Sequence, residues 1–409
     1  MQANFVDMKR IYVENFGPVQ KAELELRNIN LLIGEQSVGK STLAKLITIL
    51  TDYTCLGLIM VGDYAYWLGK LEEYGLDIYK DNNYTIKYDL DEDSNYFHFE
   101  IYKNKIDAYV IKNGERSTNR DVIVQELLSM KPFYHDEIFD KVNNLLSSPT
   151  DNSDIGKAIE LMYSSLYIPA ERIIYSVVSR LMPALTLAKS TVPKNLLRFM
   201  VDLENAKATY PQLEMPLLDI SYFKENSDDY FIINTTKQKY LLSSASSGIQ
   251  STLPLLLVLK YAIEKKEYSS FVVEEPECNL FPEKQVELLK HIILLVKSEN
   301  RTLTITTHSP YLLSALNNYL FAGTLVAKYG SKINPFIDNV LPLKQILKPN
   351  ECSVYSLGED INGKGIYCKS LLNEKTGMID FNSLDGISEK MGDEFARLKN
   401  AYIQMKHQR

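Results

Sequence analysis

Eight residues near the N-terminus have the types and spacing that bind a nucleotide phosphate. The stretch Gly-Glu-Gln-Ser-Val-Gly-Lys-Ser begins at Gly34 and matches the pattern G-x-x-x-x-G-K-[ST]. The glycines let backbone N–H groups face phosphate oxygens, Lys40 reaches the β- and γ-phosphates, and the Ser41 hydroxyl binds Mg²⁺. A chance glycine turn is the alternative, but the stretch lies between a predicted strand and a predicted helix, the context that phosphate binding requires. The residues predicted to bind the nucleotide here are Gly34, Gln36, Ser37, Gly39, Lys40, Ser41 and Thr42.

Polar side chains follow two short apolar strands in the second half of the chain. Glu274 and Glu275 come directly after Phe-Val-Val, and His308 follows Thr-Ile-Thr-Thr. In phosphoryl transfer the first carboxylate would hold Mg²⁺ and the second would orient or polarise the attacking water. The histidine could hydrogen-bond the γ-phosphate or that water. Paired glutamates at a strand end are usually just solvated, so it is their order after the glycine-rich loop that favours catalysis.

One helix begins with several hydroxyls and a glycine, in the stretch Ser-Ser-Ala-Ser-Ser-Gly-Ile-Gln-Ser at 243–251. A helix N-terminus exposes unpaired N–H groups and a partial positive charge, and serine hydroxyls add neutral donors. Gly248 permits close backbone approach to an anion. An ordinary serine N-cap is the alternative. Because the glycine-rich loop already supplies one phosphate cradle, a second cradle predicts contact with a nucleotide held by a second chain.

The order of these motifs resembles that of ABC-type ATPases, in the branch that includes SMC, RecF and the OLD-like ATPases of bacteria. Residues 246–250, Ser-Ser-Gly-Ile-Gln, resemble the signature loop LSGGQ, whose serine and glycine bind the γ-phosphate held by the opposite subunit. The resemblance implies a composite site in which Ser247, Gly248 and Gln250 contact ATP across a homodimer. Two stretches are closer to the OLD-like group than to transporter ATPases: the opening residues 14–18, Glu-Asn-Phe-Gly-Pro, and residues 274–282, Glu-Glu-Pro-Glu-x-x-Leu-x-Pro.

The same resemblance assigns roles to the strand-end residues. It implies that Lys40 and Ser41 are the Walker A pair, that Glu274 is the Walker B residue, and that Ser41 and Glu274 hold the metal. It further implies that Glu275 is the catalytic glutamate and His308 the switch histidine. ATP and Mg²⁺ are the implied substrate and cofactor.

Three positions depart from the family pattern. Ile249 replaces the second signature glycine, and Glu274 stands where most ABC-type proteins have aspartate. No Q-loop motif matches, but Arg172 occupies the right place in the order and is the candidate for sensing the phosphate. Slow or partner-gated hydrolysis is expected, and residues 277–280 are expected to form the D-loop at the dimer interface.

Composition limits the classes of protein that fit. The 409 residues are 45% hydrophobic and 24% charged, which is typical of a globular protein of two or three lobes. A net charge of −7 disfavours coating of nucleic acid by bulk charge, although a local contact remains open. The four cysteines form no disulfide or zinc pattern. Without an apolar signal core or a membrane-length apolar run, we expect a soluble cytoplasmic protein with no membrane contact.

Periodicity, together with the resemblance, predicts an α/β fold: an ABC-type ATPase head whose P-loop mixed sheet has flanking helices, with an antiparallel β subdomain and a helical lobe. A short strand at 166–169 interrupts the helical region, and a final amphipathic helix is expected near 387–405. The predicted divisions are 1–70 (N-terminal half of the ATPase core), 71–118 (antiparallel β insert), 119–215 (helical lobe), 216–345 (second half of the core) and 346–409 (small C-terminal α/β tail).

The β insert is rich in aromatic residues. A surface for a partner or a phage trigger is one interpretation, and the ordinary core of a small antiparallel sheet is the favoured one. The residues concerned are Tyr84, Tyr88, Tyr96, Phe97, Phe99 and Tyr102.

The resemblance implies an ATP-hydrolysing protein that dimerises around two ATP molecules and regulates or scaffolds a separate effector. OLD-like ATPases of this size resemble components of bacterial anti-phage systems encoded beside an effector such as a nuclease. Full OLD nucleases carry a C-terminal Toprim domain with clustered acidic ligands; no Asp-x-Asp cluster follows His308, so nuclease activity is not assigned to this chain. A RecF-like DNA-binding repair ATPase and a scaffold with negligible hydrolysis are the alternatives.

Overall fold

The structure of the chain is a computed structural model. It describes residues 8–61, 64–81, 83–92, 95–102, 105–129, 162–175, 192–226, 228–297, 301–358, 367–380, 382, 386 and 390–399.

The strands form three sheets. They are β1 (Met8–Phe16), β2 (Val19–Leu26), β3 (Ile29–Gly34), β4 (Thr85–Glu92), β5 (Asn95–Tyr102), β6 (Lys105–Lys112), β7 (Glu115–Ser117), β8 (Ser164–Ile168), β9 (Gln212–Met215), β10 (Ile220–Glu225), β11 (Asp228–Ile233), β12 (Lys239–Leu241), β13 (Tyr268–Glu274), β14 (Thr302–Thr306), β15 (Cys352–Leu357) and β16 (Cys368–Ser370).

The helices lie between and around these sheets. They are α1 (Lys40–Thr51), α2 (Tyr53–Val61), α3 (Tyr64–Glu73), α4 (Arg120–Leu128), α5 (Lys194–Thr209), α6 (Ser247–Lys265), α7 (Pro282–Lys297), α8 (Pro310–Tyr329) and α9 (Asn334–Asp338). Residues 390–399 are also helical. Among the described helices, none alone has the length and apolar composition needed to cross a bilayer, whereas the sharply bent pair Lys40–Thr51 and Tyr53–Ile59 passes on those two criteria only.

The central sheet has the strand order β16-β15-β3-β14-β13-β8. All its strands are parallel except β16 at the edge, which is antiparallel to β15. Alternate residues of β3 enter two different cores, because successive side chains of a strand point to opposite faces. Leu32 packs in the core that contains α1, whereas Leu31 and Ile33 pack in the core that contains α6, α7 and α8. Helices therefore cover both faces of this sheet, which explains the continuous apolar run in β3.

The second sheet is antiparallel, with the order β2-β1-β4-β5-β6-β7. Because β1 pairs with both β2 and β4, the predicted insert shares this sheet with the N-terminal strands. Most of its aromatic residues are buried in the core, which confirms the favoured interpretation for them, while Tyr96 is half-buried and Tyr102 is exposed. The buried aromatic residues are Tyr84, Tyr88, Phe97 and Phe99.

The third sheet, β12-β11-β10-β9, is tied to α5 by a buried cation. The Lys207 ammonium, on α5, lies 2.7 Å from the Asp229 carboxylate and 2.8 Å from that of Glu204. The Tyr222 hydroxyl donates to the second oxygen of Asp229 at 2.8 Å. Because Lys207 is only 3% exposed, its carboxylate partners are what make its burial tolerable. This cluster fixes the sheet that leads into the serine-rich start of α6.

The α/β fold class is confirmed: a mixed sheet with helices on both faces and antiparallel sheets beside it. Helices α4 and α5 and strand β8 agree with the expected pattern, while residues 130–161 and 176–191 of the predicted helical lobe lie outside the described residues. The final helix is described at 390–399, and the rest of the span 387–405 lies outside. The predicted C-terminal tail supplies β15, which pairs with β3 in the central sheet. The domain boundaries stay predictions.

Candidate functional site

The glycine-rich loop joins the end of β3 to the start of α1 and needs glycine at two positions. Gly34 and Gly39 have φ values of 146° and 92°, which side chains rarely adopt. A Cβ at Gly34 would lie 2.5 Å from the Leu357 carbonyl oxygen, and one at Gly39 would lie 2.8 Å from a methyl carbon of Val19. Ser37 also has a positive φ, 64°. The loop is therefore packed closely against β2 and β15 as well as being strongly curved.

Lys40, the first residue of α1, turns its ammonium back over this loop. Its Nζ donates to the carbonyl oxygens of Gly34 at 2.9 Å and Glu35 at 2.5 Å. Burial lowers the pKa of Lys40, and the nearby carboxylates of Glu275 and Glu274 oppose that shift. The ammonium is thus bonded to the loop and near enough to both strand-end glutamates for their charges to act on it. Of the other predicted nucleotide-binding residues, Gln36, Ser37 and Ser41 are exposed and Thr42 is buried.

Glu274 ends β13 as a buried carboxylate, 3% exposed. Burial raises its pKa, and hydrogen bonding with Tyr167 and Ser41 lowers it again. Its Oε1 has no hydrogen-bond partner among the described residues. Mg²⁺ in proteins is coordinated by oxygen atoms, and here a buried carboxylate oxygen that has no hydrogen-bond donor among the described residues lies next to a serine hydroxyl. Glu274 and Ser41 therefore fit a magnesium ion.

Glu275 and His308 face each other at the ends of β13 and β14. Glu275 has a positive φ of 40°, and its N–H donates to the Thr306 carbonyl at 3.0 Å. Its Oε1 lies 3.6 Å from His308 Nε2, and its Oε2 accepts from the Cys278 thiol at 3.1 Å. Both side chains are about one third exposed. Burial and the Lys40 ammonium lower the pKa of His308, so its imidazole is neutral at pH 7.

Arg172 lies behind this pair and is fully buried. All five of its N–H groups donate to backbone carbonyls, since Nε bonds Ser251 and the two Nη atoms each make two bonds. The prediction that Arg172 senses phosphate is therefore wrong for this structure, because no N–H of the guanidinium is left for an oxyanion. The carbonyls that the two Nη atoms contact are those of Pro169, Glu274, Glu275 and Pro276.

The serine stretch does not form an ordinary serine N-cap. Helix α6 begins at Ser247, and the side chain of its N-cap residue Ser246 makes no capping hydrogen bond. Both serines are exposed. Gln250 instead stabilises the loop, because its side-chain amide donates to the carbonyls of Ser243 at 3.1 Å and Ala245 at 2.9 Å. The Ser246 and Ser247 side chains are thus exposed at a helix start that has no side-chain cap.

Gly248 is buried against the segment that follows Glu275. A Cβ there would lie 2.8 Å from the Asn279 carbonyl oxygen, so packing alone requires glycine. The Ser251 hydroxyl reinforces this contact by donating to the Cys278 carbonyl at 3.1 Å. The serine stretch and residues 277–280 therefore form one unit within the chain.

The structure brings together the glycine-rich loop, Glu274, Glu275 and His308 at the C-terminal ends of β3, β13 and β14. Parallel neighbours place these ends at one edge, where Glu274 is in register with Thr306, and Thr306 with Leu32. The sequence interpretation missed the part played by Glu277, which contacts the His308 backbone. Its only signal was a glutamate in the stretch expected to be a D-loop.

Comparison with solved structures finds similarity to SMC heads. The SMC head domain from Thermotoga maritima and an SMC head bound to the C-winged helix domain of ScpA are each 13% identical, with TM-scores of 0.38. An Smc head with an extended coiled coil, bound to the C-terminal domain of ScpA derived from Pyrococcus furiosus, is 12% identical with a TM-score of 0.34. Each comparison covers 75% of this chain and 91% of the other. TM-scores below 0.5 are too low to carry an assignment.

Comparison by sequence gives one family. No curated protein matches the chain. The model of the AAA ATPase domain matches residues 8–148 and 69–313, and these segments together cover more than half of the chain. The match includes the glycine-rich loop, the serine stretch, both strand-end glutamates and His308. The chain belongs to the AAA ATPase domain family.

Proposed function

We propose that the protein is an ABC-type ATPase that binds ATP with Mg²⁺ at the glycine-rich loop and hydrolyses it to ADP and phosphate. The observation that carries this proposal is the convergence of Lys40, Glu274, Glu275 and His308 at one edge of a parallel sheet. A cation, a metal-binding carboxylate, a second carboxylate and a neutral imidazole are the groups that phosphoryl transfer to water requires. The family match supports the ATPase activity.

Each side chain has a role that its surroundings support. Lys40 now donates to loop carbonyls and would donate instead to phosphate oxygens, with which its hydrogen bonds are charge-assisted and stronger. Ser41 and Glu274 would hold Mg²⁺, which when bound neutralises charge on the phosphates. Glu275, whose side chain is partly exposed, would orient the attacking water and accept its proton. His308, neutral, would hydrogen-bond the γ-phosphate or that water.

We further propose that two copies of the chain share each ATP. Ser246 and Ser247 are exposed and leave the N-terminus of α6 uncapped, which supports a phosphate contact made in trans. Gly248 and Gln250 would keep this surface in shape, through the contacts with Asn279 and with the loop carbonyls. In this arrangement residues 277–280 lie next to the dimer interface.

The biological role that we propose is regulation or scaffolding of a separate effector in bacterial anti-phage defence. The motifs at 14–18 and at 274–282 resemble those of OLD-like ATPases, and they support this role. If effector control is the function, ATP-driven closure of the dimer would hold or release the effector. The test is whether the product of the neighbouring gene, taken as the candidate effector, binds the purified ATPase differently with ATP and with ADP.

The experiment that tests the ATPase proposal is turnover across a dilution series. A composite site predicts that specific activity falls as dimers dissociate. Replacing Glu275 by Gln, which is nearly isosteric, should lower kcat by about 10²–10⁴-fold with little change in ATP affinity. The matched control is Glu283→Gln, which changes an exposed glutamate on α7 and should keep wild-type turnover.

Three outcomes are informative. If the wild-type protein does not bind ATP, the proposal as a whole is refuted. Specific activity that does not change on dilution would refute the shared site but leave hydrolysis standing. ATP binding without turnover at any concentration would favour the scaffold with negligible hydrolysis over the ATPase.

A further inference from the structure

Glu277 is a buried carboxylate that contacts the loop carrying His308. It is 8% exposed. Its Oε1 accepts two hydrogen bonds, one from the Thr307 hydroxyl and one from the His308 backbone N–H at 3.0 Å. Its Oε2 has no hydrogen-bond partner among the described residues. One oxygen of this side chain therefore makes both bonds to the loop that carries His308.

The residues on either side of His308 are held by other elements. The Thr307 N–H donates to the Leu32 carbonyl of β3 at 3.1 Å. The Ser309 hydroxyl caps α8 and also donates to Gln285 of α7 at 2.6 Å. The His308 N–H has only the Glu277 carboxylate as its acceptor in the described structure. Of the backbone N–H groups of residues 307–309, that of His308 is thus the one whose acceptor is Glu277.

Burying the Glu277 carboxylate costs free energy, because the charged group loses its contact with water. Desolvation raises the pKa of Glu277, and the hydrogen bond from Thr307 lowers it again. An apolar side chain of similar size would avoid the desolvation cost, but it would leave the His308 N–H and the Thr307 hydroxyl without acceptors. The contribution of the carboxylate is therefore the geometry that it imposes on the loop.

That geometry links the segment that carries Glu275 to the loop that carries His308. The segment 274–277 and the loop 306–308 are connected by Glu275 N–H to the Thr306 carbonyl at 3.0 Å and by the Glu277 bond to the His308 N–H. Between these two bonds lies the 3.6 Å approach of Glu275 Oε1 to His308 Nε2. We propose that Glu277 is a positioning residue that holds His308 at this distance from Glu275. The inference rests on the proposed hydrolysis, in which Glu275 and His308 act on the same water.

A double-mutant cycle tests whether Glu277 acts through His308. Glu277→Ala should lower kcat by about 10–100-fold, since a misplacement of about 1 Å has effects of this size. The affinity for ATP should stay unchanged, because the glycine-rich loop is not touched. In the His308→Ala background, removing Glu277 should cost no more than a factor of about two. If the loss of kcat in the double variant equals the product of the losses in the two single variants, the two residues act independently and the proposal is overturned.

Two further variants separate positioning from folding. Glu277→Gln keeps a carbonyl oxygen that can accept from Thr307 and His308, and it should recover most of the lost kcat. Glu283→Ala removes an exposed glutamate six positions further along and should behave as wild type. A Gln variant as slow as the Ala variant would show that an acceptor at this position is not what matters, and it would also overturn the proposal.

NMR of protein labelled with ¹³C at the histidine rings provides a readout that does not need turnover. Glu277→Ala should shift or broaden the His308 ring signal, assigned by its loss in His308→Ala, and leave the signal of His98 on the antiparallel sheet unchanged. If wild type fails to hydrolyse ATP but this shift occurs, the proposed function fails and the positioning role stands. An unchanged His308 signal in Glu277→Ala would refute the positioning role whatever the activity.

Discussion

Replacing Arg172 by Met should destabilise the protein strongly without weakening ATP binding. The guanidinium is fully buried and its five N–H groups bond five backbone carbonyls at 2.8–3.2 Å. These carbonyls belong to three segments: Pro169 directly after β8, Ser251 near the start of α6, and residues 274–276. Methionine fills much of the same volume but donates no hydrogen bond, so the carbonyls lose their partner while they remain buried.

The expected size follows from the number of bonds. A buried hydrogen bond contributes about 0.5–1.5 kcal/mol net, so the five bonds together contribute on the order of 5 kcal/mol. Removing a buried cation recovers part of its desolvation cost, and burial does lower the pKa of Arg172. We therefore expect a loss of about 3–5 kcal/mol, a large share of the roughly 5–15 kcal/mol that stabilises a typical domain. Arg172→Lys keeps at most three donors and should lose about 1–3 kcal/mol.

Urea unfolding should give the highest free energy of unfolding for wild type, a lower one for Arg172→Lys and the lowest for Arg172→Met. ATP affinity, measured on the folded fraction at low urea, should be the same in all three proteins, because the side chain does not face the glycine-rich loop. An unfolding midpoint for Arg172→Met equal to that of wild type would refute the structural role. Weakened ATP binding in a well-folded Arg172→Lys variant would instead restore the idea of a phosphate sensor.

Other substitutions test the remaining contacts. Lys207→Met leaves the Asp229 carboxylate without its cation and should lower the free energy of unfolding in urea by about 3–5 kcal/mol. Lys224→Met removes a more exposed cation of the same cluster and should lower it by less than about 1 kcal/mol. Equal losses in the two variants would contradict this account. Gly248→Ala should lower kcat and reduce the free energy of unfolding by about 1–3 kcal/mol, because the new Cβ would lie 2.8 Å from a carbonyl oxygen. Gly69→Ala in α3 is the control: its Cβ would meet nothing within 4 Å, so the change should be neutral or stabilising. A fully active Gly248→Ala variant would count against the packed loop. Burial and the Lys40 ammonium lower the pKa of His308 below its ordinary value of about 6.5, so the stability that its neutral form contributes is present above about pH 6.5 and is lost as pH falls through the lowered pKa. The pH profile of kcat/KM, which reports the free enzyme, should therefore show no loss due to His308 between about pH 7 and 8, and an acid limb with its midpoint above about pH 7 would be inconsistent with this.

The local parts of the site could be predicted from the sequence because each depends on neighbours along the chain. A glycine-rich loop between a strand and a helix is specified by residue spacing, and the structure has a sharply curved loop at Gly34 and Gly39. The strand-end glutamates and His308 could be placed at one edge because the carboxyl ends of parallel strands meet there. The aromatic insert followed the two-residue period of its strands, which predicted its buried residues.

Arg172 and Glu277 could not be interpreted in this way. Their partners are backbone carbonyls and N–H groups, which every residue carries and which no motif distinguishes. The order of motifs placed Arg172 where a phosphate sensor is expected, but the fold directs its donors to the backbone of 274–276.

The sequence by itself determined the chemistry available to this protein: a phosphate-binding loop, a pair of carboxylates, a histidine and a helix that begins with hydroxyls. Only the tertiary structure decided how these groups are held. Strand β15, from the far end of the chain, lies beside β3 and supports the glycine-rich loop, and Gly248 rests on the Asn279 carbonyl. Such contacts depend on strand order and on the register of distant segments, and these are fixed by the packing of the two cores on either side of the sheet.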